Sequence, residues 1–385
     1  MHTDHITLQP NARILVVKLA TIGDLLLATP ALRALRESYP QARIDLLVTP
    51  ASAGLLHGWN VIDNILVLDK YLFDYPQQIL RHPSNLRRLN PLWHMLRDGR
   101  YDAVILMHHL TLFFGRLKHQ VLMRATGAKW RVGLDNGHGW FLNVRVKDHG
   151  FGAMHEADYN LSLAEAVGAT ISDKRLVVPI SDEERQAAKE LVYGTASVSE
   201  RPIIAMHPGS GGYSTARRWA PERFAQLADR LYADVGGQLL LVGGPEEVEL
   251  HQYILRQMKS SMPARSLAGK GNIRVAAAIL EQADLFIGND SGLMHLAAAV
   301  GTPTVAIFGL TNWNAWGPYT GDDPQRKAVV VKMNLPCMPC FYRGHELGTP
   351  EGCLTRDCLA LLGVDPVAVA ARRLLRETEK QRQPL

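Results

Sequence analysis

From residue 13 onward, short apolar runs alternate with amphipathic segments, and the alternation occurs twice. Residues 13–19, 42–49, 64–69 and 101–107 read as strands. Residues 25–39, 86–98 and 113–125 read as helices between and after them, with a short helix near 51–58. Helical periodicity continues at about 155–168 and 182–193, and residues 194–200 then turn polar and small, which puts a linker within 175–200. At Pro202 the rhythm restarts: strands at 203–206, 238–242, 283–287, 304–308 and 328–331, helices at 221–235, 246–258, 273–282 and 366–380. Strand–helix–strand units imply parallel sheets with helices on both faces. A chain of 385 residues also exceeds what one core usually holds. The predicted fold class is therefore α/β, with two doubly wound domains at 1–180 and 181–385 facing a central cleft. The last helix has the option of packing back on the first domain.

Composition narrows the function classes. Hydrophobic residues make up 47% and charged residues 21%, an ordinary globular balance. No run of about 18 uncharged apolar residues suggests a membrane span. The first residues lack the basic-then-apolar layout of a secretory leader, so a cytoplasmic location is expected. The net charge of +5 is concentrated. Between Arg81 and Arg131 lie Arg81, Arg87, Arg88, Arg97, Arg100, Arg116, Lys118, Arg124, Lys129 and Arg131, opposed only by Asp98 and Asp102. That asymmetry suits an anionic partner, or else a solvated helical face. Stacking aromatics are not interleaved with these cations as single-strand binders require, so nucleic acid is not expected. G-x-G-x-x-G is absent, which disfavours a dinucleotide oxidoreductase. D-x-D is absent too, so no metal-dependent sugar-nucleotide site is indicated.

Four segments can carry chemistry. Gly288-Asn289-Asp290-Ser291-Gly292 lies between a buried strand and a helix read at 296–300, with His295 just before that helix. Helix starts present unpaired N–H groups and a positive dipole end, a seat for a diphosphate. The plain alternative is an ordinary turn with Asp290 as N-cap. The first strand leads into Ile22-Gly23-Asp24. Ligands of open α/β sheets bind beyond the carboxyl ends of strands, so Asp24 is a candidate general base or, more plainly, a helix cap. His207-Pro208-Gly209-Ser210 and Arg217-Arg218-Trp219 supply a Gly-rich loop and two guanidinium forks that match phosphate oxygens. Gly243-Gly244-Pro245-Glu246-Glu247 places a carboxylate for ribose hydroxyls, or simply an acid favoured by a helix start.

The cysteines are confined to one stretch: Cys337, Cys340, Cys353 and Cys358, spaced C-x2-C-x12-C-x4-C. Four thiolates suit tetrahedral zinc or iron. Plain packing or a redox-labile disulfide are the alternatives. A closed tetrathiolate site would be structural, because it keeps no open position for substrate.

Taken in order, these segments resemble glycosyltransferase family 9, the ADP-heptose:lipopolysaccharide heptosyltransferases, over nearly the whole chain. The carrying residues are Lys18 with Ile22-Gly23-Asp24 and Thr29-Pro30-Ala31-Leu32, then His207-Pro208-Gly209-Ser210, Arg218-Trp219 with Pro221 and Phe224, and Gly243-Gly244-Pro245. Gly288 to Gly292, His295-Leu296-Ala297-Ala298, Gly301-Thr302-Pro303 and Trp316-Gly317-Pro318 complete the set. The resemblance implies a GT-B fold of two Rossmann-like domains, the first binding acceptor and the second the sugar nucleotide. It implies Asp24 as catalytic base. It implies His207, Ser210, Arg217, Arg218, Glu247 (or its neighbour Glu246), Asp290, Ser291, Gly292 and His295 as donor-binding residues. Arg217 stands where many members carry Lys, and a planar fork replaces a point charge there. The implied reaction is inverting, metal-independent transfer of heptose from ADP-heptose to a lipopolysaccharide core hydroxyl, with no catalytic cofactor. Contact with the cytoplasmic face of the inner membrane follows. A related protein-heptosylating branch carries a four-cysteine iron finger, which adds weight to the metal reading of the cysteines and makes protein a rival acceptor. Another nucleotide sugar is a rival donor. A sugar-nucleotide or anionic-glycan binding protein without turnover is the reading from another class, and Asp24 argues against it.

Overall fold

The computed structural model describes residues 5–70, 85–194 and 202–382. The chain divides into two compact units between Lys174 and Arg175.

In the first unit the strands are β1 (Arg13–Lys18), β2 (Arg43–Val48), β3 (Asn64–Val67), β4 (Ala103–Leu106), β5 (Trp130–Asp135) and β6 (Val144–Lys147). They form one parallel sheet in the order β3-β2-β1-β4-β5-β6. The helices are α1 (Ile22–Leu26), α2 (Thr29–Ser38), α3 (Pro50–Ala53), α4 (Asn85–Asp98), α5 (Phe113–Ala125) and α6 (Glu156–Glu165). Leu92 and Leu96 of α4 and Leu122 and Met123 of α5 pack with Leu15, Val17, Val104 and Leu106 of the sheet. Two expectations change here. The single helix expected at 25–39 is two, α1 and α2, with Pro30 in the first turn of the second. Proline lacks the N–H that a helix interior needs, and only a first turn accommodates it. Strands β5 and β6 were not anticipated. They carry Arg131, Asp135, Arg145 and Lys147 in place of an apolar run, and such strands leave little periodic signal.

The second unit repeats the plan. Its strands are β7 (Ile203–His207), β8 (Gln238–Leu241), β9 (Ala264–Ser266), β10 (Leu285–Asn289), β11 (Thr304–Phe308) and β12 (Ala328–Lys332), parallel in the order β12-β11-β10-β7-β8-β9. The short hairpin β13 (Tyr342–Arg343) and β14 (Glu346–Leu347) lies apart from it. The helices are α7 (Asp182–Tyr193), α8 (Pro221–Val235), α9 (Val248–Gln257), α10 (Ile273–Glu281), α11 (Gly292–Val300), α12 (Trp313–Trp316), α13 (Asp357–Ala360) and α14 (Val364–Arg382). On α8 the residues Phe224, Leu227, Ala228 and Leu231 are fully buried. Their 3.6-residue period is what made that helix legible. Burying Phe224 alone contributes about 1.5–3 kcal/mol. The linker expected within 175–200 contains α7, which packs on α10 of this unit; residues 195–200 lie outside the described residues. The last helix, α14, packs on α8, β10, β11 and β12 of its own unit.

Candidate active site

In each sheet, chain order reverses direction at one place, between β1 and β4 and between β10 and β7. The loops diverge from the carboxyl ends of those strands and leave a crevice, where open α/β sheets bind ligands. Asp24 follows β1 at the first of these points, and His207–Ser210, Arg217–Arg218 and Asp290–His295 follow β7 and β10 at the second.

In the first unit a buried polar network fixes the loop after β1. The Lys18 ammonium is 4% exposed and donates to the Met107 carbonyl (2.9 Å) and to Asn160 Oδ1 (3.5 Å). Asn160 Nδ2 donates to the Leu27 carbonyl (3.0 Å), and the Leu19 N–H donates to His108 Nε2 (2.8 Å). Burial, followed by the charges of His119 and Lys18, pushes the His108 pKa well down. Its neutral ring is therefore free to accept that bond. Asp24 is half-buried on α1. Its Oδ2 accepts from the Thr21 N–H (3.2 Å) and the Thr21 hydroxyl (2.7 Å), completing a capping box. Asp24 is thus the third helical residue, not the N-cap itself. One oriented carboxylate sits at the switch point. Beyond the end of β4 is a feature that sequence reading did not find. His109 lies between Asp148 Oδ2 and Glu156 Oε1, 2.9 Å from each. Burial opposes its charge, but the Glu156 charge and the two hydrogen bonds outweigh that and bring its pKa to about 9.

In the second unit the donor-side residues form one network. His207 ends β7 and is 3% exposed. Its Nδ1 is 2.9 Å from Ser291 Oγ and its Nε2 is 3.0 Å from Glu247 Oε2. The Gly244 N–H also donates to Glu247 Oε2 (3.1 Å). Burial pushes Glu247 upward, but the His207 bond and charge, the Gly244 bond and Arg218 reverse this and leave its pKa low. In this rotamer the carboxylate occupies the space that a Cβ at residue 209 or 243 would take. A Cβ would stand 1.6 Å from Glu247 Oε1 at position 209 and 2.3 Å from Oε2 at position 243. Arg217 donates to the Ser210 carbonyl (2.9 Å) and faces Asp290 Oδ2 at 3.4 Å. Arg218 donates to Ser210 Oγ (3.1 Å) and lies 3.9 Å from Glu247 Oε1. Two atoms in this network, Arg217 Nε and Glu247 Oε1, are buried without a hydrogen-bond partner among the described residues. Buried polar groups are rarely left so.

Helix α11 begins earlier than the sequence reading placed it, at Gly292. Its N-cap is Ser291, whose Oγ accepts from the Met294 N–H (3.4 Å); Asp290 is not the cap. His295 is consequently inside the helix and 4% exposed, one turn from the seat. Sequence reading also passed over Asn289, which is fully buried. Its Oδ1 accepts from the Trp219 N–H (3.0 Å), and its Nδ2 donates to the Pro208 and Gly209 carbonyls (2.8 and 3.0 Å). One amide thus pins both ends of the 208–219 loop to β10. The available signal was an Asn closing an otherwise apolar strand. His251 was passed over too; burial lowers its pKa to about 4, and its Nδ1 meets Ser266 Oγ at 2.8 Å.

The cysteines do not fit the tetrathiolate expectation. Cys337, Cys340 and Cys353 are exposed and Cys358 is buried. No group of three or more His, Cys, Asp or Glu among the described residues is arranged to hold a metal ion. Burial, and then the neighbouring sulfurs, raise the thiol pKa of Cys340 and bring that of Cys358 to about 11. Cys353 moves the other way because the Arg356 N–H donates to its sulfur (3.3 Å). Of the basic stretch, Arg81 and the side chains of Arg87 and Arg88 lie outside the described residues. Arg116 and Arg131 are half-buried and hold backbone carbonyls, of Leu110 and of Phe141 and Ala128. Arg97, Arg100, Arg124 and Lys129 are exposed.

Two parallel Rossmann-like units, each with its own switch point, make up the GT-B fold. Solved structures share this fold. The glycosyl transferase family 9 protein from Veillonella parvula DSM 2008 superposes with a TM-score of 0.72 at 24% identity, covering 96% of this chain and 99% of that one. The E. coli ADP-heptose lps heptosyltransferase II gives 0.67 at 23% identity, covering 95% and 99%. Residues 89–349 match the sequence profile of glycosyltransferase family 9 (heptosyltransferase), and the chain belongs to that family. Its sequence is 29% identical to lipopolysaccharide heptosyltransferase 2 of Salmonella typhimurium over 332 residues, 83% of this chain and 88% of that one. It is 28% identical to lipopolysaccharide heptosyltransferase 3 of Escherichia coli K12 over 372 residues, 92% and 96% of the two chains.

Proposed function

We propose that this enzyme transfers heptose from ADP-heptose, with inversion, to a hydroxyl of the lipopolysaccharide inner core. The observation carrying the donor half is the incomplete hydrogen bonding of the Arg217–Glu247 network beside the start of α11. The diphosphate is seated at Ser291 and Gly292, with Arg217 and Arg218 as its counter-charges. Glu247 accepts from the nucleoside ribose. His207 and His295 shape this seat from behind. Asp24, oriented by Thr21, takes the proton as the acceptor oxygen attacks the anomeric carbon from the face opposite the leaving ADP. One C–O bond forms, the bond to ADP breaks, and the negative charge that develops on ADP is met by arginines and the helix terminus. Fixed charges thereby do the work that a divalent metal does in D-x-D enzymes. The acceptor assignment draws on the lipopolysaccharide heptosyltransferases that align with most of this chain.

The test is a donor screen read by mass spectrometry, with heptose-deficient lipopolysaccharide, a protein acceptor and several nucleotide sugars offered in parallel. Addition of one heptose to the lipopolysaccharide from ADP-heptose alone is expected. Transfer only to the protein, or only from another nucleotide sugar, overturns the reading. Binding of ADP-heptose without any transfer would mean a binding protein.

A further inference from the structure

Helix α5 (Phe113–Ala125) is apolar on two opposite sides. One side, Leu122 and Met123, is sealed into the sheet core. The other side holds Phe113, Leu117 and Val121, at helical spacings of four, and these are 72%, 41% and 54% exposed. Leu112, just before the helix, is 65% exposed. An outer-layer helix of a soluble unit normally turns charge to solvent, and a contiguous apolar stripe there marks an interaction surface. The neighbouring helix α4 (Asn85–Asp98) covers the same sheet face through Leu92 and Leu96 and exposes Trp93 and Met95 as well.

Charge selects the occupant. Arg124 is exposed, and helical spacing places it within the Phe113–Leu117–Val121 stripe. Arg97 on α4, Arg100 in the loop after it and Lys129 in the turn after α5 are also exposed, with Lys129 Nζ 4.8 Å from the Trp130 ring centre. The acids of this segment are Asp98 and Asp102, and Asp102 is engaged by the Arg13 N–H (2.8 Å). Docking a second copy on this face would set cation against cation. An apolar stripe that ends in Arg124, beside a helix exposing Trp93, is the pattern of helices that lie in the plane of a bilayer interface, among anionic headgroups.

We infer that α5, with the exposed flank of α4, is a membrane-docking face that sinks Phe113, Leu117 and Val121 into an anionic lipid surface while Arg124 and its neighbours meet the headgroups. This gives a purpose to the glycolipid-acceptor reading, on which it rests for meaning but not for evidence. None of these side chains belongs to the proposed catalytic machinery.

Flotation with vesicles tests it without substrate. The full chain is mixed with vesicles of phosphatidylglycerol and phosphatidylcholine, or of phosphatidylcholine alone, at low and high salt. Binding to the anionic vesicles is expected, weakened but not abolished by salt because part of it is apolar. Combining Phe113→Ser, Leu117→Ser and Val121→Ser should lower the partition coefficient at least about tenfold. Arg124→Glu should weaken binding to anionic vesicles only. Thermal protection by ADP should be retained in both variants, which shows that the fold survives. Equal flotation of wild type and the triple variant overturns the inference, and so does failure of the wild type to float with anionic vesicles. A change in oligomeric state in the triple variant, seen by light scattering with flotation unaltered, would reassign the face to self-association. Because no turnover is measured, a wrong acceptor assignment leaves this result intact, and a wrong donor assignment shows separately as absence of ADP protection in the wild type.

Discussion

Replacing His207 by Ala tests whether the donor seat is held from behind by a buried relay. His207 bonds Glu247 at 3.0 Å and Ser291 at 2.9 Å, and all three residues are at most 3% exposed. A hydrogen bond to a charged group contributes about 1.5–3 kcal/mol and a neutral one about 1 kcal/mol. The sum is about 2.5–4 kcal/mol. The loss should depend on pH in a set direction. Glu247 has a depressed pKa in the native protein. Its contribution is present above the ordinary carboxylate pKa and is lost as pH falls through the depressed native value. Without His207, burial acts with less opposition and the Glu247 pKa rises. The stability gap between wild type and variant should therefore be full at neutral pH and narrow on acidification. Urea denaturation followed by circular dichroism at several pH values measures it, fitted with separate transitions for the two units where they appear. A double-mutant cycle with Ser291→Ala should give a coupling of about 0.5–3 kcal/mol. His207 acts here as a positioning residue, so ADP affinity should fall about tenfold, equivalent to about 1.4 kcal/mol, while kcat at saturating donor changes little. A stability loss under about 1 kcal/mol, or none of the expected narrowing in acid, would refute the relay.

Asp24→Asn should keep the fold and ADP binding but lower turnover by about 10²–10⁴-fold, the range for a general base; near-normal turnover would reduce Asp24 to a cap on α1. Asp290→Ala should weaken ADP binding by freeing the Arg217 guanidinium that it faces, and calorimetry giving unaltered ADP affinity would count against that contact. Turnover should survive excess EDTA, because two arginines and a helix terminus meet the diphosphate; loss restored by Mg²⁺ would contradict it. Alkylation with limiting iodoacetamide, mapped by mass spectrometry, should label Cys353 first and Cys358 last. Its lowered pKa and exposure favour Cys353, whereas burial protects Cys358. Uniform protection of all four, relieved by a chelator, would restore the metal reading.

The parts of the fold that were legible are those where one face is apolar at a fixed period. Helices α5, α7 and α8 were read with their observed bounds because Leu122, Ala188 and Phe224 belong to clean helical patterns. Strands β5 and β6 were not, since Arg131 and Arg145 interrupt them. What makes them strands is pairing with β4 and with each other, a tertiary fact with no local signature. Among the residues proposed to seat the donor, residue types singled out individual segments, but not how those segments are joined. His207, Ser291 and Glu247 are separated by 84 and 40 residues, and no spacing rule links them. Asn289 escaped notice for a related reason: its importance lies in accepting and donating across loops, which composition does not record. The cysteines show the converse, because close spacing in sequence did not become a closed ligand set in space.

The two glycines against Glu247 have a consequence for anyone who redesigns this enzyme. With 1.6 Å between a notional Cβ at position 209 and a Glu247 oxygen, and 2.3 Å at position 243, these three positions form a steric lock. Libraries that randomise residue 209 or 243 singly should return glycine almost exclusively. Those that shorten residue 247 at the same time should admit Ala or Ser at either glycine. On the proposed role of Glu247 at the ribose, a move toward a different nucleoside changes the acid and the loop backbone together, and simultaneous mutation should succeed where stepwise selection stalls.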